Sequence, residues 1–214
     1  MHTVGVVAHT SRAAQAHALY DQVGATYLAM DNGELGCERN HYRAWEHLND
    51  FATTEWSIVL EDDAQPVEDF NQQAAQALAA APTPIVSFYL GKLRPPHWQN
   101  AIRAATEQAV RTDAHYVTAT HLLHAVAVAI RTDLIADMLA HARTSRRPWD
   151  FTIAAWALQD HHPVAYTWPS LVDHADGPPA ITKHPDKAPR PPGRKAWQVG
   201  TRTTWEPSTT HMEP

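Results

Sequence analysis

The stretch Trp56–Ala64 reads Trp-Ser-Ile-Val-Leu-Glu-Asp-Asp-Ala and decides the fold class of this chain. Trp56–Leu60 is largely apolar on both faces, a pattern typical of a strand buried in the middle of a parallel sheet. The strand runs directly into three carboxylates, Glu61, Asp62 and Asp63. In open α/β sheets, ligands bind at the carboxyl ends of the strands. The stretch therefore predicts a central, parallel strand with a polar site at its end.

Short apolar runs alternate with amphipathic segments along the rest of the chain. Val4–Ala8, Ala25–Met30 and Val164–Trp168 have the character of strands. Val67–Ala81 and Trp98–Val110 are typical of helices. This alternation predicts an α/β fold with a Rossmann-like, mostly parallel central sheet flanked by helices.

The composition excludes several classes of protein. A length of 214 residues with 44% hydrophobic and 19% charged residues suits one globular domain. The formal net charge of −6 disfavours a general nucleic-acid-coating protein. The single cysteine, Cys37, allows no intrachain disulfide and is expected to be a buried, small apolar side chain. No 18-residue apolar run or signal-peptide pattern is present, so we expect a cytoplasmic protein.

The chain changes character towards its C-terminus. We expect residues 1–182 to form a catalytic domain and residues 183–214 to form a Pro- and Arg-rich tail. Trp197 and Trp205 favour docking of part of this tail on the body, since a solvated tail has no need of them. The basic residues that form either a lid over the site or a solvated run are Arg190, Arg194 and Lys195.

The three adjacent carboxylates carry the clearest chemical signal. Like charges repel, so a cation among Glu61, Asp62 and Asp63 would stabilise the cluster. Oxygen ligands favour Mg²⁺ or Mn²⁺ over zinc, and such an ion also binds the phosphates of a nucleotide. The alternative interpretation is a solvated acidic turn that precedes the helix beginning near Val67.

Three common nucleotide and nucleophile motifs are missing. His9-Thr10-Ser11-Arg12 follows the first strand, where a Rossmann dehydrogenase has its glycine pattern. The sequence also contains no Gly-Lys-Ser/Thr triplet and no Gly-x-Ser-x-Gly elbow. A metal-assisted enzyme without a phosphate-binding loop fits these observations best.

Four motifs follow one another in a fixed order. The first, Gly36–Trp45, reads Gly-Cys-Glu-Arg-Asn-His-Tyr-Arg-Ala-Trp, and the second is the strand with its acidic turn, Ile58–Asp63. The third is the apolar stretch Ala125–Arg131, and the fourth combines Pro148–Asp150 with Pro169–Val172. In this order they resemble family 25 glycosyltransferases, the lipooligosaccharide and collagen galactosyltransferase type, which have a single domain of the A-type nucleotide-sugar fold.

The sequence departs from this family at several points. Asn40 stands where the family has serine, and the usual aromatic residue is missing from Ala125–Arg131. The chain is also shorter than typical members. The resemblance nevertheless implies an inverting transfer of a sugar from a nucleotide sugar, usually a UDP-sugar. A divalent cation, Mn²⁺ or Mg²⁺, would neutralise the diphosphate that leaves.

The resemblance also assigns roles to residues. Glu61 and Asp63 form a DXD-like motif that would hold the metal, and His174 would supply a further ligand. Asp150, in the Pro-Trp-Asp motif, would be the base for the acceptor hydroxyl, although it equally suits a helix N-cap. The residues expected to contact the donor are Ala8, His9, Thr10, Arg12, Glu61, Asp62 and Asp63.

The sequence leaves the acceptor and two other functions open. The acceptor would be the hydroxyl of a glycan, of a protein or of a hydroxylated DNA base. A metal-dependent phosphodiesterase or nuclease would use the acidic turn together with Asp31, Asp150 and Asp173. A catalytically silent module would bind a nucleotide or glycan and keep only the fold.

Overall fold

The computed structural model describes residues 1–177 and 193–214, and the helices and strands given below belong to these residues. The helices are α1 (Ala13–Gln22), α2 (Cys37–Phe51), α3 (Phe70–Ala79), α4 (Gln99–Thr112), α5 (Ile135–Ala142) and α6 (Trp149–Gln159). The strands are β1 (His2–His9), β2 (Tyr27–Asp31), β3 (Trp56–Glu61), β4 (Ala64–Pro66), β5 (Ile85–Ser87), β6 (Tyr116–Ala119), β7 (Ala127–Arg131), β8 (Val164–Thr167), β9 (Val172–His174) and β10 (Thr209–His211).

Eight of these strands form one large sheet in the order β10-β6-β8-β5-β7-β3-β1-β2. Four of its seven ladders are parallel. The three antiparallel ladders join β3 to β7, β5 to β7 and β6 to β8. The predicted α/β fold is therefore confirmed, and its sheet is mixed, with parallel ladders in a small majority.

The predicted central strand, β3, lies inside the sheet. It is parallel to β1 on one side and antiparallel to β7 on the other. Ile58 and Leu60 point into one core and Val59 into the opposite core, and each is at most 1% exposed. Apolar residues on both faces require a cover of helices on both sides, but they do not fix the direction of the neighbouring strand. The sequence of β3 therefore could not predict that its neighbour β7 runs antiparallel to it.

Helices cover both faces of the sheet. Leu19 of α1 and Phe70 of α3 belong to one core. Trp45 of α2, Ile102 of α4 and Trp156 of α6 belong to the other, together with residues of α5. Full burial of each large apolar side chain stabilises the fold by about 1.5–3 kcal/mol. The two cores hold the strand ends of the sheet in fixed positions.

The described part of the C-terminal segment packs on the body. Trp205 is 8% exposed, and its Nε1 donates to Gln73 Oε1 at 2.9 Å. Thr209–His211 adds an edge strand, β10, parallel to β6. The expected docking of this segment is thus seen for residues 193–214, whereas Arg190 lies outside the described residues. No helix in the described ranges is long and apolar enough to cross a membrane.

Candidate functional site

The acidic turn lies where the carboxyl ends of β1 and β3 meet. The two strands are parallel neighbours, so the end of β1 lies beside Glu61, Asp62 and Asp63. The backbone N–H of His9 donates to Asp62 Oδ2 at 2.9 Å, and Asp62 is buried. The side chains of the predicted site therefore lie together at this edge. Hydrogen bonds from other parts of the chain already engage Asp62 and Asp63.

The predicted donor-binding residues of β1 differ in their surroundings. Ala8 is buried, and its carbonyl accepts from Asn40 Nδ2, which also donates to Ala29. Asn40 therefore ties the ends of β1 and β2 together, a structural use for the residue that replaces the family's serine. Thr10 is exposed in a short 3₁₀ turn that precedes α1. His9 Nδ1, near the start of that turn, accepts from the backbone N–H of Ser11.

Arg12 bridges two carboxylates of the turn. Its Nη1 donates to Asp62 Oδ1 at 2.7 Å and to Asp63 Oδ2 at 2.8 Å. The Arg12 side chain is 14% exposed, so water screens this pairing only weakly. Arg12 was predicted as a donor contact. Its pairing with the acidic turn, from 50 residues away in sequence, was not.

His41 of α2 holds the third carboxylate. Its Nε2 lies 3.2 Å from Glu61 Oε1, and its ring stacks on Trp149 with centroids 5.6 Å apart. Burial disfavours the charged ring, but the neighbouring Cys37 and Glu61 side chains outweigh it and raise the pKa of His41 to about 10. The pair is ionic at neutral pH. Cys37, expected to be buried, is exposed because it begins α2 on the solvent side.

His174 reaches the turn through a second, small sheet. β4 pairs with β9, and the register sets Ala64 opposite His174. His174 Nε2 lies 3.4 Å from Asp63 Oδ2, while Nδ1 accepts the backbone N–H of Asp176 at 2.7 Å. Burial lowers the pKa of His174, so the ring is neutral and its one proton must be on Nε2.

Asp150 joins the site from a distant part of the chain. It lies in the first turn of α6, partly buried, and its Oδ1 accepts the backbone N–H of Phe151 at 2.9 Å. The N-cap position itself is occupied by Pro148. Burial raises the pKa of Asp150, and the charge of Glu61 raises it further. The neighbouring Trp149 stacks on His41, which contacts Glu61, so this end of α6 faces the acidic turn.

The basic residues of the C-terminal segment border β9. Lys195 Nζ lies 3.2 Å from Asp173 Oδ2, and Arg194 Nε donates to Asp176 Oδ1 at 3.3 Å. The hydroxyl of Tyr89 donates to the carbonyl of Arg194 at 2.6 Å. Arg194 and Lys195 thus flank the strand that carries His174 and are anchored there by ion pairs.

The carboxylates that a nuclease would add are engaged elsewhere. Asp31 accepts the backbone N–H groups of Leu35 and Gly36 at 3.1 and 3.0 Å. Asp173 accepts the N–H of Ala196 at 2.8 Å in addition to its Lys195 contact. Asp31 at the end of β2 and Asp173 in β9 are thus engaged by neighbouring groups, so no contact of theirs in the described residues favours the nuclease alternative.

The fit of a metal can be judged from the three predicted ligands. Asp63 and His174 are in contact, whereas Glu61 pairs with His41; Asp63 Oδ2 is shared by Arg12 and His174, and Nε2 of His174 carries a proton. Within residues 1–177 and 193–214, no group of three or more His, Cys, Asp or Glu side chains is arranged to hold a metal ion. In this arrangement the donor set does not fit a divalent cation.

Two residues near the turn carried no recognisable pattern in the sequence. The rings of His124 and Tyr89 have centroids 5.0 Å apart, and Tyr89 also lies 6.2 Å from the ring of His174. Burial lowers the pKa of His124 to about 4. Among the described residues, Nε2 of His124 and Oδ1 of Asp63 are buried without a hydrogen-bond partner. Oδ1 of Asp63 is an acceptor that a ligand hydroxyl would satisfy.

No protein-family model and no curated protein matches the sequence, so no assignment to family 25 follows. Among solved structures, A197 from STIV is similar at 11% identity and a TM-score of 0.45, over 81% of this chain and 85% of that chain. A glycosyltransferase involved in the glycosylation of the major capsid of PBCV-1 is similar at 10% identity and a TM-score of 0.33, over 67% of this chain and 68% of that chain. Both TM-scores are too low to assign a family or a function.

Proposed function

We propose that the protein is a glycosyltransferase that moves a sugar from a nucleotide sugar, in the first instance a UDP-sugar, to a hydroxyl group. One observation carries the proposal: Trp149, the residue before Asp150, stacks on His41, and His41 Nε2 lies 3.2 Å from Glu61 Oε1 in the acidic turn at the carboxyl ends of β1 and β3. A base beside a polar strand-end site is the arrangement that such a transfer requires.

The donor would lie against the ends of β1 and β3. His9 and Thr10, next to the buried Ala8, border this edge and would face the nucleoside. Asp63 Oδ1, buried and without a partner among the described residues, would accept a hydroxyl of the ribose or of the sugar. An unsatisfied buried acceptor costs about 1–3 kcal/mol, which such a bond would recover.

Asp150 would act on the acceptor. Its carboxylate takes the proton of the acceptor hydroxyl, and the oxygen attacks the anomeric carbon from the face opposite the nucleotide. The bond from that carbon to the diphosphate oxygen breaks, so the nucleoside diphosphate leaves and the configuration inverts. A base works best when its pKa approaches the working pH, and burial shifts Asp150 in that direction.

The departing diphosphate needs a positive charge nearby. The sequence resemblance gives this role to Mn²⁺ or Mg²⁺ held by Glu61, Asp63 and His174. Arg12 is the charged side chain already bonded to two carboxylates of the turn. The acceptor hydroxyl would belong to a glycan, a protein or a hydroxylated DNA base.

The test is release of UDP from a panel of UDP-sugars, with Mn²⁺ and with chelator, where water replaces the acceptor. We expect release from one sugar, and a loss of about 100-fold or more in Asp150→Asn with UDP binding unchanged. Asp160→Asn is the matched control, since Asp160 is exposed at the other end of α6. Equal turnover by both variants would refute the role of Asp150. Absence of UDP binding would refute the donor class.

A further inference from the structure

The acidic turn already contains a cation. Nη1 of Arg12 lies 2.7 Å from Asp62 Oδ1 and 2.8 Å from Asp63 Oδ2, so one guanidinium nitrogen bridges two carboxylates. The two carboxylate side chains are 8% and 11% exposed. Buried ion pairs are screened much less than surface pairs. Arg12 is therefore held within the turn and does not rest on the surface.

We propose that Arg12 is the resident counter-ion of the acidic turn and takes the place of the divalent metal that three adjacent carboxylates otherwise call for. This charge balance is a property of the protein alone. Its consequence, that a nucleotide binds here without a metal, rests on the proposed function.

The carboxylate oxygens of the turn that a metal would use are already occupied. Asp62 has both oxygens engaged, Oδ1 by Arg12 and Oδ2 by the backbone N–H of His9. Asp63 Oδ2 is shared by Arg12 and His174. A divalent cation bound to these oxygens would lie beside the guanidinium and be repelled by it. Arginine does not lose its proton in proteins, so the metal can bind only if Arg12 leaves.

The remaining carboxylate has a basic partner of its own. His41 Nε2 lies 3.2 Å from Glu61 Oε1, and its side chain is 2% exposed. Arg12 alone lowers the formal charge of the three-carboxylate cluster from −3 to −2. Three uncompensated carboxylates would repel a diphosphate, whereas a partly compensated cluster repels it less.

Binding of Mn²⁺ to the purified protein tests the charge balance without reference to activity. The readout is loss of the electron paramagnetic resonance signal of free Mn²⁺. We expect the wild type to bind Mn²⁺ weakly, with a Kd of about 1 mM or higher. Arg12→Ala should bind Mn²⁺ about tenfold more tightly or better, because the substitution releases two carboxylates. Arg131→Ala is the matched control, since Arg131 also pairs with two carboxylates, Glu55 and Asp133, at the opposite end of β3.

Two results would overturn the proposal. One is micromolar Mn²⁺ binding by the wild type that Asp63→Asn weakens, and the other is no gain in Arg12→Ala. Circular dichroism verifies that each variant is folded. If Arg12→Ala does not fold, Arg12→Gln and Arg12→Lys replace it: Gln removes the charge and should gain Mn²⁺ binding, whereas Lys keeps the charge and should not.

Calorimetric titration with UDP tests the consequence for the nucleotide. We expect the wild type to bind UDP equally well, within about twofold, with Mn²⁺ and with chelator. In Arg12→Ala, binding with chelator should weaken about tenfold or more, and Mn²⁺ should restore part of it. Wild-type binding only in the presence of Mn²⁺ would overturn the metal-free site. Absence of UDP binding in every condition would refute the proposed function, and the Mn²⁺ measurement would still decide the role of Arg12.

Discussion

Oε1 of Glu61 and Nε2 of His41 lie 3.2 Å apart, and this pair connects the acidic turn to α2. The His41 side chain is 2% exposed and that of Glu61 is 29% exposed. Burial opposes protonation of the ring, but the neighbouring Cys37 and Glu61 side chains raise the pKa of His41 to about 10, so the ring is cationic at neutral pH. A buried cation that loses its partner is costly.

Glu61→Gln is therefore expected to lower the free energy of unfolding by about 2 kcal/mol near neutral pH, less than for a fully buried pair because Glu61 is partly exposed. A group whose pKa is raised by folding stabilises the folded protein at low pH and loses this effect as the pH rises through its folded pKa. The difference in stability between the wild type and Glu61→Gln should therefore shrink as the pH rises towards about 10. Urea unfolding measures both effects. Glu55→Gln, at an exposed ion pair with Arg131, is the control and should change stability by less than about 1 kcal/mol. Equal stability of the two variants would mean that His41 is neutral.

Asp150 gives the activity a predictable pH dependence. Its carboxylate takes a proton only when ionised, so activity falls as the pH falls through its pKa. Burial and Glu61 raise that pKa above the ordinary 3.8, and the acidic limb of kcat/KM should lie correspondingly higher. The profile of UDP release against pH measures this limb. Residual activity of Asp150→Asn should lack it, and a limb that persists unchanged in this variant would assign it to another group.

Part of this site could be predicted because it depends on local pattern. Trp56–Leu60 followed by Glu61 fixes a buried strand with carboxylates at its end, and parallel pairing with β1 places those carboxylates beside His9. Asp150 as the base stays a prediction; the structure shows that its neighbour Trp149 stacks on His41 beside this turn.

The pairing within the site depends on contacts that leave no periodic trace. Arg12 and Asp62 are 50 residues apart, and nothing in their local sequence distinguishes this ion pair from a metal bound to the same carboxylates. His174 reaches Asp63 through β4 and β9, which pair over only three residues and are too short to show alternation. The sequence identified the carboxylates but not the cations that compensate them.

His124 makes stability depend on pH in the acidic range. Burial lowers its pKa from 6.5 to about 4, so the unfolded chain binds a proton there that the folded protein resists. The contribution of His124 therefore leaves the free energy of unfolding unchanged above about pH 7 and lowers it as the pH falls from about 6.5 towards about 4. We expect a loss of about 1–2 kcal/mol at pH 5 from this group, after allowance for its partial exposure.

Urea unfolding of wild type and His124→Gln near pH 7.5 and near pH 5 measures this contribution. The variant should lose less stability on acidification than the wild type. His17→Gln is the control for the substitution itself, because His17 is exposed on α1. Parallel pH dependences for wild type and His124→Gln would show that His124 titrates alike in the folded and unfolded states.

Substitutions of Trp205 measure how much the packing of the C-terminal segment on the body contributes to stability. Its indole is 8% exposed, lies 5.6 Å from the ring of Tyr116 and donates to Gln73 Oε1 at 2.9 Å. Trp205→Ala should lower the free energy of unfolding by about 3–5 kcal/mol, since it removes a large buried side chain. Trp205→Phe keeps most of the apolar bulk and should cost about 1–2 kcal/mol, chiefly for the lost bond to Gln73. If both substitutions cost less than about 0.5 kcal/mol in urea unfolding, β10 and its neighbours would be an appendage whose docking contributes nothing to the stability of the sheet.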